Sequence, residues 1–145
     1  MAGYSGPVIL EVPSDPAVLS AVRALTDKVV SAAGFDVQEA DKLVLAVDEA
    51  CTNVIRHAYG SRLDGRITIS FTTGGDRLEI AIRDFGPGAD PATFRGRDFE
   101  DVRPGGLGIH FMQSAVDEME YVRQSGGGMV LKMVKLISKQ EKVSS

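Results

Sequence analysis

Two neighbouring segments of alternating apolar and polar residues limit the folds open to this chain. In "RITISFTT", Ile67, Ile69 and Phe71 share one face of a strand, and in "RLEIAIRD", which ends at Asp84, apolar residues again occupy every second position. A Gly-Gly-Asp sequence at 74–76 separates the two segments, which is typical of a hairpin turn. We therefore predict an antiparallel pair of strands with one buried face.

Helices and further strands surround this hairpin in the sequence. "PVILEVP", closed by prolines, predicts an edge strand. Ser14 or Asp15 can cap a helix that has Pro16 at its first position and stops at Gly34. A second helix is predicted from residues 36–38 to about Ala58, ended by a Tyr-Gly pair. Near the end of the chain, "GIHFMQSAVDEM" predicts a helix, and "EYVRQ" and "GMVLKMVKLI" predict two strands joined through three glycines.

Composition excludes several classes of protein. A chain of 145 residues with 25% charged and 43% hydrophobic residues is typical of one globular domain. We predict a single domain over 1–145, with its core at about 8–137 and a flexible tail at 138–145. The net charge of -4 does not favour nucleic acid, and no long uncharged apolar run predicts a membrane span, so we expect a cytoplasmic protein. The single cysteine, Cys51, is predicted to be a small core residue, and two histidines are too few for a Cys/His zinc site.

The second helix carries the first candidate site residues. Glu49 and Asn53 are four residues apart, so they lie on one helix face at about 6 Å from each other, and His57 continues the same stripe. A carboxylate beside a carboxamide is unusual in an otherwise apolar helix, because each must be solvated or paired. On spacing alone, a solvated helix face is the favoured explanation of this pair. We expect His57 to be a packing residue or a neighbour of the site.

Two glycine-rich segments supply the other candidates. Asp84 ends a predicted strand and is followed by Phe-Gly-Pro-Gly, which fits either an ordinary Asx-type turn or a carboxylate that accepts a ligand's N–H. The eukaryotic protein kinases also contain Asp-Phe-Gly, but their Gly-rich loop, strand lysine and His-Arg-Asp loop are absent upstream. "RPGGLGIH", from Arg103 to His110, places glycines at a helix start, where backbone N–H groups can bind phosphates. The long aperiodic segment between them, from Phe85 to Gly108, predicts a lid or binding loop.

The order of these motifs resembles the nucleotide-binding boxes of the GHKL, or Bergerat-fold, ATPases. Within that superfamily, "VDEACTNVIRHAY", "DFGPG" and "RPGGLGIHFM" are similar to the small stand-alone anti-sigma factor serine/threonine-protein kinases. The resemblance implies an α+β fold: a two-layer α/β sandwich with a mixed, mostly antiparallel sheet and helices packed on one face. Near the last strand, Met129 follows Gly128 where the family usually has a Thr or Asn, so we expect weaker nucleotide binding.

The resemblance also implies residue roles, cofactors and partners. Glu49 would be the general base, Asn53 the protein ligand of Mg²⁺, and Asp84 the acceptor of the adenine amine of ATP or ADP. The phosphates would be bound by the segment from Gly106 to Gly108. The substrate would be a serine of a STAS-domain anti-sigma factor antagonist, an alternative sigma factor could be sequestered, and a homodimer is the family precedent. The residues implied in cofactor binding are Asn53, Asp84, Gly86, Gly88, Arg103, Gly105, Gly106, Leu107 and Gly108.

Three functions remain open from the sequence. The first is the serine/threonine kinase just described. The second is a non-catalytic, nucleotide-binding module that switches or sequesters partners. Glu49 favours the kinase, because a pure binder has no use for a base. The third is a hydrolytic ATPase with a conformational cycle, which usually needs transducer and dimerisation domains beyond 145 residues.

Overall fold

The structure is a computed structural model that describes Tyr4, residues 6–86 and residues 107–137. These residues form one five-stranded sheet in the order β1-β2-β3-β5-β4, and all of its neighbouring strands are antiparallel. The predicted hairpin is confirmed, with Gly74 opposite Arg77. The strands are β1 Val8–Pro13, β2 Arg66–Gly74, β3 Arg77–Asp84, β4 Glu118–Arg123 and β5 Met129–Leu136.

The first two helices begin and end close to the signals that the sequence predicted. Asp15 accepts a hydrogen bond from the Ala17 backbone N–H, and Gly34 has a left-handed φ of 110° after the first helix. Asp36 and Glu39 form a capping box, in which each side chain accepts a backbone N–H of the other residue. The helical elements are a 3-10 turn Pro16–Val18, α1 Leu19–Ala32, α2 Val37–Asn53, a π-helical turn Val54–Ala58 that continues α2, and α3 Leu107–Ala115.

The core lies between the helices and one face of the sheet. Alternate residues of β2 and β3 are buried, as the two-residue periodicity predicts, and α1 and α3 both pack on α2. Cys51 is fully buried in this core, which confirms its predicted role. The two-layer α+β fold class is therefore confirmed. Further core residues include Val22, Val30, Leu43, Val47, Ile67, Ile69, Phe71, Leu78, Ile80, Ile82, Met112 and Met133.

The prediction of a helix from Gly108 to Met119 is wrong at the C-terminal end of the helix. The helix α3 stops at Ala115, and β4 begins at Glu118. The backbone N–H of Asp117 donates to the carbonyl of Val134, at 2.8 Å, while the Asp117 carboxylate accepts the Leu136 N–H at 2.7 Å. These contacts with a distant strand outweigh the local helical pattern.

Part of the predicted chain organisation lies outside the described residues. This holds for most of the predicted lid, residues 87–106, and for the predicted tail at 138–145. Among the described helices, none is both long and apolar enough to cross a membrane.

Candidate functional site

Helix α2 presents Glu49 and Asn53 as partly buried side chains beside fully buried neighbours. The preceding carboxylate, Asp48, has a different role, because it accepts a 2.9 Å hydrogen bond from Arg23 of α1. Asp48 therefore connects α2 to α1 through an ion pair. Glu49 lies against α3 instead, where the candidate phosphate-binding glycines end.

Gly108 and Glu49 are in close contact. A Cβ atom added to Gly108 would overlap the Glu49 carboxylate and would also meet the Glu49 Cγ at 3.1 Å. Glycine at this position therefore leaves room for the Glu49 carboxylate beside the first turn of α3. The structure thus brings together a proposed catalytic carboxylate and the last glycine of the proposed phosphate-binding segment.

The stripe predicted on α2 ends at the π-helical turn. Because hydrogen bonds in this turn span five residues, as in Tyr59 N–H to Val54 carbonyl at 3.1 Å, the turn departs from the regular helical spacing. His57 lies within it with an exposed side chain. Its exposure contradicts the packing alternative, and the other alternative, a neighbour of the site, stays a prediction.

Asp84 is the one described acidic residue that is buried, with 5% of its surface exposed. Its carboxylate accepts the backbone N–H of Gly86 at 3.0 Å and a second backbone hydrogen bond from Met129. Desolvation by burial raises the pKa of Asp84, although these two hydrogen bonds and the charge of Arg83 act in the opposite direction. The Asx-type turn predicted as the simpler alternative is thus present, within a buried site.

Close backbone contacts surround Asp84. Gly128 has φ +88°, and a Cβ atom there would overlap the Asp84 carbonyl oxygen and would meet the Phe85 Cα at 3.0 Å. Gly86 lies on the other side, where a Cβ would meet the Ala58 carbonyl oxygen at 2.7 Å. Glycine is required at both positions, so that the strand-end turn can lie between the π-helical turn and the start of β5.

The ring of Phe85 lies beside Arg83, whose side chain is on the sheet face opposite Asp84 because successive residues of β3 alternate. The guanidinium carbons of Arg66 and Arg83 lie 4.1 Å and 4.4 Å from the centre of this ring, within the range of cation–π attraction. These two contacts therefore hold the Phe85 side chain on the face of the turn opposite Asp84. Its neighbour Asp84 is left on the face that is shared with the helices.

Tyr59 is a site residue that the sequence analysis missed. Its hydroxyl accepts the Phe85 N–H at 2.7 Å and donates to the Arg66 carbonyl oxygen at 2.6 Å. The sequence offered only a Tyr-Gly pair, which indicated a helix end. A hydrogen bond between residues 26 positions apart has no local sequence signal.

The remaining predicted site residues are only partly covered by the structure. Gly88, Arg103, Gly105 and Gly106 lie outside the described residues, and Leu107 is the first residue of α3. Within the described part of the chain, no group of three or more His, Cys, Asp or Glu side chains could hold a metal ion. A Mg²⁺ ion held by one protein oxygen ligand would not require such a group, so Asn53 stays a predicted ligand.

Comparison with known proteins identifies the family of this chain. The model of the histidine kinase-like ATPase domain matches residues 12–135. The chain belongs to this family. A serine-protein kinase RsbW of Listeria monocytogenes is 30% identical over 97% of this chain and 94% of its own length. A serine-protein kinase RsbW of Bacillus pumilus is 32% identical over 90% of this chain and 86% of its own.

These relatives confirm the family that the motifs predicted, and they support a serine/threonine kinase activity built on an ATPase domain. A third relative, RsbW of Bacillus subtilis, is 32% identical over 81% of this chain and 78% of its own. The crystal structure of the RsbU and RsbW domains of Rv1364c from Mycobacterium tuberculosis is similar in fold. Its TM-score is 0.65 at 18% identity, over 91% of this chain and 33% of that one.

Proposed function

We propose that this protein is a serine-protein kinase that binds ATP at Asp84 and transfers its γ-phosphoryl group with Glu49 as the general base. The observation that carries the proposal is that one helix reaches both halves of the site. Glu49 of α2 contacts Gly108 at the start of α3, while Ala58, at the end of the same helical segment, contacts the turn that follows Asp84. A nucleotide that lies along this helix would meet all of these groups.

The surroundings of Asp84 support adenine recognition. A carboxylate offers about four lone-pair positions, and two backbone donors already use part of this capacity. An exocyclic amine can fill a remaining position, whereas a carbonyl oxygen in its place would leave a buried charge facing an acceptor. The site therefore favours adenine over guanine. The backbone contact of Met129 supports Asp84 even though its side chain lacks the usual hydroxyl or amide.

The position of Glu49 supports phosphoryl transfer. In the proposed reaction, Glu49 accepts the proton of a serine hydroxyl while the serine oxygen bonds to the γ-phosphorus and the bond to the ADP oxygen breaks. Asn53, one turn further along α2, would hold Mg²⁺, which would neutralise charge on the phosphate oxygens when bound. The amide oxygen of Asn53 is a suitable hard ligand, and the partly buried position of its side chain leaves it accessible.

The partners proposed for this kinase follow from the resemblance and from the relatives named RsbW. We propose that the substrate is a serine of a STAS-domain antagonist, that a sigma factor can bind as a second partner, and that the chain works as a cytoplasmic, single-domain homodimer. The alternative is a module that binds partners without transferring phosphate. The position of Glu49 next to the proposed phosphate-binding segment favours the kinase.

Transfer of label from radioactive ATP to a candidate STAS protein tests this proposal. We expect transfer by the wild type and a fall of about 10²- to 10⁴-fold for Glu49→Gln, because the amide cannot accept the proton. ATP binding by Glu49→Gln should persist in calorimetry. The matched control is Glu118→Gln on β4, an exposed residue away from the site, which should transfer at the wild-type rate.

Asn53→Ala separates the metal ligand from the base. Loss of the ligand should weaken both Mg-ATP binding and transfer, since misplaced phosphates affect both. Wild-type transfer by Glu49→Gln would show that the base is wrongly assigned. A wild type that binds ATP and a sigma factor, yet phosphorylates no STAS protein, would favour the non-catalytic alternative.

A further inference from the structure

The hydroxyl group of Tyr59 attaches the end of the π-helical turn to the proposed adenine-binding turn. Tyr59 follows the π-helical turn directly, is 4% exposed, and bonds through its hydroxyl to Phe85 and Arg66. Its ring rests on Gly65, where a Cβ would come within 2.5 Å of the ring atoms. The ring is therefore confined by packing, and the hydroxyl oxygen is held where the two strands β2 and β3 meet the turn.

The Phe85 N–H belongs to the peptide group that joins Asp84 to Phe85. A bond to this N–H at 2.7 Å restricts rotation of that peptide group. The carboxylate of Asp84 is further oriented by the next N–H, that of Gly86, at 3.0 Å. Two successive backbone N–H groups are thus fixed, one by Tyr59 and one by Asp84 itself. The first bond orients the backbone that carries the Asp84 side chain.

We propose that Tyr59 is a positioning residue for the nucleotide: its hydroxyl holds the Asp84–Gly86 turn in the conformation that receives adenine and attaches that turn to the helix that carries Glu49 and Asn53. This inference rests on the proposed function. Tyr59 does not touch the reacting atoms. Its effect is therefore on nucleotide affinity, and chemistry at saturating ATP depends on Glu49 and Asn53.

Tyr59→Phe tests this role, because it removes the hydroxyl and keeps the ring on Gly65. We expect the Kd and the KM for ATP to rise about ten-fold, as loss of one buried hydrogen-bonding partner implies, while kcat stays within about two-fold. Hydrogen exchange of the Phe85 amide in the nucleotide-free protein should accelerate at least about ten-fold as well. Tyr4→Phe is the matched control, since the Tyr4 hydroxyl is buried with no hydrogen-bond partner among the described residues.

A second variant approaches the same contact from the other side. Gly65→Ala keeps the Tyr59 hydroxyl but places a methyl group on the ring, so it should displace the ring and raise the KM for ATP in the same way. A purely structural role predicts a lower melting temperature with unchanged ATP affinity and an unchanged KM, and this result would overturn the proposal. Equal affinity of Tyr59→Phe and wild type refutes the role of Tyr59 alone. A wild type that binds no ATP refutes the proposed function itself.

Discussion

Replacing Gly108 by alanine separates helix stability from catalysis. Gly108 is the second residue of α3, and alanine in a helix is favoured over glycine by about 1 kcal/mol. The added Cβ would, however, overlap the Glu49 carboxylate. One of the two groups must therefore move, and the carboxylate is the terminal part of a flexible side chain.

The two effects differ greatly in size. Moving the end of a glutamate side chain to another rotamer costs on the order of 1 kcal/mol, which offsets the gain in helix propensity. The free energy of unfolding should therefore change by less than about 1 kcal/mol. Displacement of a proposed base by about 1 Å, in contrast, is expected to slow phosphoryl transfer by about 10²-fold.

Single-turnover transfer of label from ATP to a STAS protein measures the second effect, and urea unfolding measures the first. Gly126→Ala is the matched control, because a Cβ there meets nothing within 4 Å, and it should leave the rate of transfer unchanged. A wild-type rate for Gly108→Ala would refute the reasoning, since it would show that the contact with Gly108 does not place the base. A loss of stability above about 3 kcal/mol would show that the carboxylate cannot move as assumed.

Two further predictions concern titratable groups. Because desolvation raises the pKa of Asp84 from its ordinary value of 3.8, its contribution to stability is greatest below 3.8 and is lost as pH rises through the folded-state pKa. Calorimetry should show ATP affinity falling on acidification through this raised pKa, and Asp84→Asn should bind ATP weakly at every pH. Burial raises the pKa of Cys51 to about 12, so a disulfide reagent at neutral pH should modify this thiol only after unfolding; rapid reaction of the folded protein would contradict its burial.

Much of the fold could be predicted because its signals are local. The hairpin between β2 and β3 depends on a two-residue periodicity and a glycine turn. The start of α2 depends on a capping box between residues three positions apart. Such interactions are complete within a few residues, so the sequence shows them directly. The candidate residues Glu49, Asn53 and Asp84 were likewise visible in motifs on these elements.

The contacts between these elements depend on tertiary structure. The helix α3 does not continue through Val116 to Met119. Val134 and Leu136 of β5 supply hydrogen-bond partners for this segment instead. The proposed role of Tyr59 depends on the register of β2 and β3, which brings the Arg66 carbonyl and the Phe85 N–H within hydrogen-bond distance of one hydroxyl group. Hydrogen bonds and close contacts of this kind join residues far apart in the chain, and no periodicity of one element encodes the position of another. Only packing of the helices on the sheet determines which groups meet.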